Sequence, residues 1–463
     1  MSISADSIAV LRQQLTGDSI LTGSEISERY SVDFTGENGQ APLAVVRPKS
    51  TEEVALVLKT CSELVQPVVV QGGLTGLAGG ATPRPGEIAM SLERLSEIEE
   101  VDTDSMTVTS MAGAPLQAIQ EAAENAGFLL PLDFGARGSC HIGGAIATNA
   151  GGNQVIRFGM TRNLVLGLEA VLADGTVISS MNKMLKNNAG YDLKQLFIGT
   201  EGTLGVITRA VLRLFPRLSS RCTALCAVES FSQSVKLLRE TQIKLGSSIS
   251  AYEVMWSPYF DRVIGHIETL RSPFEKTFPL YVLIETEGSE QNIDSQQFEE
   301  VLGSALAENF IEDAVIAQSE KDRETFWAIR DGVSEITKAL IPYASLDVSM
   351  DIAEMSGFLE EFDAALSSNL PDALNLVFGH VGDNNLHLFV TTRRQKDIKK
   401  ILDIGYGLTG THRGSISAEH GIGVLKRDYL HHSRTAEEIE LMRRLKKALD
   451  PKGILNPGRV IPD

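Results

Sequence analysis

Cysteine is scarce in this chain of 463 residues: Cys61, Cys140, Cys222 and Cys226 are the full set, and no two stand as CxxC. That pattern excludes a regular disulfide framework and predicts free, mostly buried thiols in a reducing compartment. Positive charge is also short. Lys and Arg number 42 against 60 Asp and Glu, a formal net charge of −18. Nucleic acid and anionic membrane both demand basic surface, so neither is an expected partner. No apolar run reaches the roughly 18 residues that suggest a membrane span. The opening MSISADSIAVLRQQL lacks the basic segment and apolar core of a signal peptide and reads as a short amphipathic helix. A cytoplasmic protein is the expectation. Internal repeats and low-complexity tracts are absent too, and the length suits two or three domains with proper cores.

The common nucleotide signatures are missing as well. No glycine loop carries the GK[ST] of a Walker A motif, which disfavours an ATP- or GTP-driven enzyme. GYGLTG (405–410) fits G-x-G-x-x-G, but it follows the helix-like KKILDI and has no βαβ unit around it. It is therefore read as a decoy, and a nicotinamide enzyme is disfavoured.

Glycine is what the chain does have, in bursts between about residues 72 and 205. A helix-like TEEVALVLKTCSELV and a strand-like PVVVQ lead into GGLTGLAGGATP (72–83). A strand feeding such a loop lets backbone N–H groups approach a ligand closely, often a pyrophosphate. Further bursts are GARGSCHIGGAIATNAGG (135–152), FGMTRNLVLGLEAVLADGTVI (158–178) and FIGTEGTLGVITRAVLRLFP (197–216). Residues 1–217 read as one α+β domain around a long, phosphate-bearing ligand. After Pro216, strand-like CTALCAVE, SISAYEVM and PLYVLIETEG alternate with helical stretches such as SFSQSVKLLRETQIKL, predicting a second layer with an antiparallel sheet. The tail TAEEIELMRRLKKALDPKGILNP carries a capping threonine, an amphipathic helix and Pro-Gly stops.

The stretches QGGLTGLAGG, PLDFGARGSCHIGGAIATNAGG and GYDLKQLFIGTEGTLGVIT closely resemble the vanillyl-alcohol-oxidase-type FAD-binding proteins. Within them the chain is most similar to the FAD-dependent D-2-hydroxyacid dehydrogenases, which include D-2-hydroxyglutarate and D-lactate dehydrogenases. The resemblance spans nearly the whole chain. It implies an α+β fold: a two-subdomain FAD-binding domain (1–217), an α/β substrate (cap) domain with an antiparallel sheet (218–415), and a C-terminal helical segment (416–463) returning to the FAD domain. Gly72, Gly73, Leu74, Thr75, Gly76, Gly79 and Gly80 would cradle the pyrophosphate. Asp133, Ser139, Cys140, Gly143, Gly144, Asn149, Gly152 and Ile207 would line the rest of the cofactor. Some members attach flavin covalently through histidine or cysteine; Leu74 and Thr75 stand in the loop here, so non-covalent FAD is expected. Leu74 replaces an Asn common in close relatives, and one hydrogen bond to the cofactor is expected to go with it.

GHVGDNNLHLF (379–389) places His380 and His387 on either side of a turn, and alone it reads as a hairpin. The resemblance pairs it with SAEHGIGVLK (417–426), making His380, His387 and Glu419 ligands of a divalent metal and His420 the catalytic base. Zinc is the leading expectation, with Mn²⁺, Fe²⁺ and Co²⁺ open, since two imidazoles and a carboxylate suit several ions. A metal on the substrate hydroxyl lowers its pKa, and a neutral histidine takes the proton as hydride leaves for flavin N5. Arg330, in ETFWAIRDGVSEI, would hold the substrate carboxylate, with Ser334 one turn on along the same face. Hydroxyglutarate enzymes usually carry Thr, Lys and Asn at the positions of Ser334, Ser345 and Phe389. The two polar partners missing at Ser345 and Phe389 favour apolar acids, D-lactate-like, branched or D-mandelate-like, over D-2-hydroxyglutarate. The electron acceptor would be an electron-transfer flavoprotein or a quinone-linked carrier, and a homodimer is an allowed assembly. A flavin subunit of a glycolate-oxidase-like complex and an oxidase using O₂ directly are the competing readings.

Overall fold

The computed structural model describes residues 3–36 and 39–462. The chain divides into two compact units. One comprises Met1–Gly152, Gly159–Arg217 and Glu419–Asp463; the other comprises Asn153–Phe158 and Leu218–Ala418. Among the described residues, no helix is long and apolar enough to cross a membrane.

The first unit holds a four-stranded sheet ordered Ile20–Leu21, Ala44–Val46, Ile88–Ser91, Val68–Gln71, the last three parallel. The helix Thr51–Glu63 makes the crossover between two of these parallel strands. Its N-terminus is capped by Ser50, whose side chain accepts the Glu53 N–H, and its apolar face buries Val54, Val57, Leu58 and Cys61 at helical spacing. Strand Val68–Gln71 delivers the chain straight into the glycine loop 72–80. A second, five-stranded antiparallel sheet runs Ile98–Asp102, Thr107–Met111, Val206–Arg213, Val165–Val171, Val177–Ser180. The C-terminal helix Ala436–Leu449 starts with a reciprocal Thr435–Glu438 capping box, as the capping threonine of the sequence suggests. Beyond it the tail lies beside Val68: Val68 N donates to Ile454 O, and Asn456 N to Val68 O.

The second unit is built on a seven-stranded antiparallel sheet, ordered Asp313–Ile316, Ser220–Val228, Leu280–Gly288, Ile249–Trp256, Leu374–Gly379, Asn385–Thr391, Ala344–Ser349. Helices Ser257–His266 and Glu320–Arg330 pack on one face, where Met255, Tyr281, Leu283 and Phe378 meet Tyr259, Phe260, Phe326 and Ile329. GYGLTG lies inside the unbroken helix Ile398–Thr411. A Cβ on Gly405 would stand 2.1 Å from Leu346 Cδ2, so this glycine lets the helix lie close against strand Ala344–Ser349. Its role is packing, and no nucleotide loop is present there.

Candidate active site

The first unit carries the expected cofactor residues. Loop 72–80 is pressed against the 139–144 segment, because a Cβ on Gly73 would come within 1.9 Å of Ser139 O. Gly72 sits over His141 and Gly144 at ordinary contact distance. Gly143 packs on Ala112, where a Cβ would be 2.6 Å from the alanine methyl. Gly152, at φ +115°, lies against Asp133, whose carbonyl oxygen a Cβ would approach to 2.2 Å. Side chains are thus excluded where chain meets chain. Gly144 differs, since nothing stands within 4 Å of the Cβ position there and that face is open. Half-buried His141 has a buried Nδ1 with no hydrogen-bond partner, and partial burial lowers its imidazole pKa. A glycine cradle with an open face and a buried polar atom still to be satisfied fits a long polar cofactor such as FAD.

Other cofactor candidates have internal duties. Leu74 adopts φ +59°, a region tolerated by Asn or Gly and strained for leucine. Asn149 ends helix Ile142–Thr148 in the left-handed region, and its Oδ1 accepts the Arg162 N–H at 2.9 Å. The Cys140 thiol is buried and pushed up to about 11, chiefly by burial. Ile207 is buried in the five-stranded sheet, opposite Ala170.

The turn that follows Ala418 belongs to this unit. Glu419 Oε2 accepts the Gly152 N–H at 2.9 Å. The Glu201 carboxylate reaches the same turn, accepting the N–H groups of Ile422 at 2.7 Å and Gly423 at 2.9 Å. Burial raises the Glu201 carboxyl against the pull of those two donors and of Lys426.

In the second unit, GHVGDNNLHLF is a hairpin whose turn passes through Asn384 at φ +74°. Hairpin and histidine pair coexist: strand register sets Phe378 on one side of His387 and Asp347 on the other. His387 Nδ1 lies 3.9 Å from Asp347 Oδ1, and the rings of His380 and His387 stand edge to face at 5.4 Å. Asp347 is fully buried. Its Oδ2 accepts from Ser417 Oγ at 3.2 Å and its carbonyl oxygen from Ala418 N. The residues that precede Glu419 and His420 are therefore anchored on the aspartate beside His387.

His380 and Arg330, expected in separate roles, lie together. His380 Nδ1 is 2.6 Å from Glu253 Oε1, and its Nε2 is 2.9 Å from Arg330 Nη2. Arg330 Nε donates to Glu253 Oε2 at 2.9 Å, and Nη1 to Asp331 at 3.0 Å. Burial would raise the Glu253 carboxyl, but Arg330 and His380 outweigh it and hold it at about 2. Ser334 departs from its expected place. The helix Glu320–Arg330 stops at Arg330, Ser334 falls in a second short helix, Val333–Thr337, and it is exposed, so it shares no helical face with the arginine. Gly332 marks the break, packed so tightly on Val263 that a Cβ would come within 2.6 Å of its methyl. Ser345 pairs with Phe389 across the sheet, and Phe389 stacks on Phe378 at 5.9 Å and faces Tyr343 at 5.5 Å.

Three carboxylates escaped the sequence reading: Asp347, Glu253 and Glu201. The first two had a signal, an acidic residue inside an apolar strand, in ASLDVS and AYEVMW. Glu201 had none beyond its glycine-rich surroundings.

Residues 217–460 match the family described as FAD linked oxidases, C-terminal domain, and residues 42–180 match the FAD binding domain. The mitochondrial D-2-hydroxyglutarate dehydrogenase of Arabidopsis thaliana is 36% identical over 466 residues, spanning 100% of this chain and 82% of that protein. Its namesake in Bos taurus is 38% identical over 463 residues, spanning 99% and 84%. Among solved structures, p-cresol methylhydroxylase with substrate bound has a TM-score of 0.78 at 16% identity, covering 99% of this chain and 97% of that one, a likeness of fold. The chain belongs to the FAD-linked oxidase family and, within it, to the FAD-dependent D-2-hydroxyacid dehydrogenases.

Proposed function

We propose that this chain oxidises a D-2-hydroxy acid to the 2-oxo acid with non-covalent FAD and a divalent metal, D-2-hydroxyglutarate being the substrate. The names of its relatives, similar over nearly the full chain, support the diacid over the apolar acids that Ser345 and Phe389 suggest. The observation that carries the chemistry is the Asp347–His387 pair, with Ser417 and Ala418 tied to that aspartate just before Glu419 and His420. We assign His387, Asp347 and Glu419 as the ligands of the ion, with zinc the first choice, and His420 as the base. His380 is not required in this set, because Glu253 and Arg330 engage both of its ring nitrogens.

When bound, the cation supplies Lewis acidity to the substrate hydroxyl and FAD supplies the hydride acceptor. His387, Asp347 and Glu419 would hold the ion, and a ring nitrogen of His420 would take the hydroxyl proton. Arg330, fixed by Glu253 and His380, brings a guanidinium toward the substrate carboxylate. Leu74 and Thr75 offer no group for covalent attachment, and the raised Cys140 thiol is a poor nucleophile, so FAD is held dissociably. A separate carrier, an electron-transfer flavoprotein or a quinone-linked protein, takes the electrons.

A second reading keeps the enzyme and changes the acid. Phe389, stacked on Phe378 beside Tyr343, forms a wall without charge that favours lactate-like or mandelate-like side chains. Anaerobic bleaching of the flavin against D- and L-2-hydroxy acids decides between them. Fastest bleaching by D-2-hydroxyglutarate supports the first reading. An inert diacid beside reactive D-lactate or D-mandelate installs the second, and a colourless purified protein ends both.

A further inference from the structure

The Glu201 carboxylate is shared between two places that the proposed chemistry needs at once. On one side its two oxygens take the N–H groups of Ile422 and Gly423, the turn directly after Glu419 and His420. On the other side it backs the glycine loop: a Cβ on Gly80 would stand 3.2 Å from Oε2, and one on Gly421 2.8 Å from Oε1. Neither glycine could carry a side chain without displacing this group. The turn is also docked on the loop through main-chain hydrogen bonds. Ala78 O accepts the N–H groups of both Val424 and Leu425, and a Cβ on Gly423 would come within 2.1 Å of the same oxygen.

The Glu201 backbone is itself held from two directions. Its N–H donates to Ala147 O, in the helix that follows His141. Its carbonyl accepts from Asn456 Nδ2, and Asn456 Oδ1 accepts in turn from Val70 N, in the strand that enters the glycine loop. Its backbone sits at φ +52°, an unfavourable region for glutamate that persists where surrounding bonds over-determine it. The second anchor of the turn, Gly152 N to Glu419 Oε2, also comes from a cofactor-lining glycine. Cofactor loop and metal-bearing turn are thus parts of one hydrogen-bonded body within this unit.

We infer that Glu201 is a positioning residue that couples the two sites, so that FAD and the divalent ion each strengthen binding of the other. The inference rests on the proposed metal role of Glu419 and His420. Order imposed on loop 72–80 by one ligand is order that the 419–423 turn no longer has to acquire for the second, and such coupling is necessarily reciprocal.

The test follows FAD release from the full chain by flavin fluorescence, once with zinc sulfate and once with a chelator. Wild type is expected to hold FAD about ten-fold more tightly with zinc, within the usual range for coupled sites. Glu201→Gln sets an amide against a backbone N–H, and Glu201→Asp withdraws the carboxylate by one methylene. Both should still bind FAD and unfold cooperatively, yet lose the zinc-dependent difference. A difference that persists in both variants overturns the coupling while leaving the metal reading intact. Equilibrium dialysis separates the other failure: wild type that takes up no zinc overturns the metal reading and this inference together. If Glu201→Gln does not fold, Glu201→Asp alone decides.

Discussion

At Gly73 one added methyl would stand 1.9 Å from Ser139 O, a backbone atom that cannot rotate away. Gly73→Ala should therefore push loop 72–80 off the 139–144 segment, at an overpacking cost of about 1–3 kcal/mol. Purified protein should be paler, with a lower flavin-to-protein absorbance ratio, and should melt earlier. Gly144→Ala is the contrasting probe, because protein leaves the Cβ position there open. Its melting temperature without cofactor should hold or rise, as for alanine replacing glycine in a helix, while flavin content falls if FAD lies over that face. His387→Ala tests the other half of the chemistry. Turnover should fall by roughly a hundred-fold or more and metal content should drop, with FAD held as tightly as by zinc-free wild type. FAD binding weaker than that in the variant would make His387 a structural residue of its sheet.

Elements record where sequence pattern suffices and where it does not. The strand entering loop 72–80, the Thr435 cap and the antiparallel sheet after Pro216 were legible, because each is fixed by local spacing of apolar, glycine and capping residues. The break after Arg330 was not. Gly332 is placed by its contact with Val263, a residue from another helix, and Ser334 falls in the short helix beyond it. Glu253 and Glu201 likewise act through partners 77 and 222 residues distant, beyond any local pattern. His412, at the end of helix Ile398–Thr411, is a further case: Glu354 and Glu361 of helix Ile352–Asn369 flank its ring at 2.8 and 3.4 Å. Burial would lower its pKa, but the two carboxylates prevail and raise it. A raised folded-state pKa stabilises fully below the unfolded value of about 6.5 and the benefit fades as pH rises through the folded value. Wild type should accordingly melt above His412→Gln at pH 6, with the gap narrowing by pH 9. A gap that does not change with pH would mean that the imidazole contributes packing against Phe358 and no charge.

Taken across the whole chain, the flavin-binding unit is closed by residues from its far end. Arg459 is completely buried and pairs with both carboxylate oxygens of Glu87, and its remaining donors reach Pro457 O and, where the glycine loop ends, Gly80 O and Thr82 O. These bonds span up to 379 residues of sequence, so they close late in chain order and hold the cradle from outside it. Removing the arginine strands Glu87, itself nearly inaccessible to water, as a buried unpaired charge, a loss of roughly 3–5 kcal/mol. Arg459→Met should then lower the temperature of flavin release, at about 2–4 °C per kcal/mol for a unit of this size. The double variant Arg459→Met with Glu87→Gln removes the stranded charge and should recover part of that loss. Flavin fluorescence during a thermal ramp reads all three proteins directly. Equal release temperatures for wild type and Arg459→Met would mean that the tail rests on the cradle without securing it. A single-variant loss with partial recovery in the pair would make the C-terminal return a condition for holding FAD.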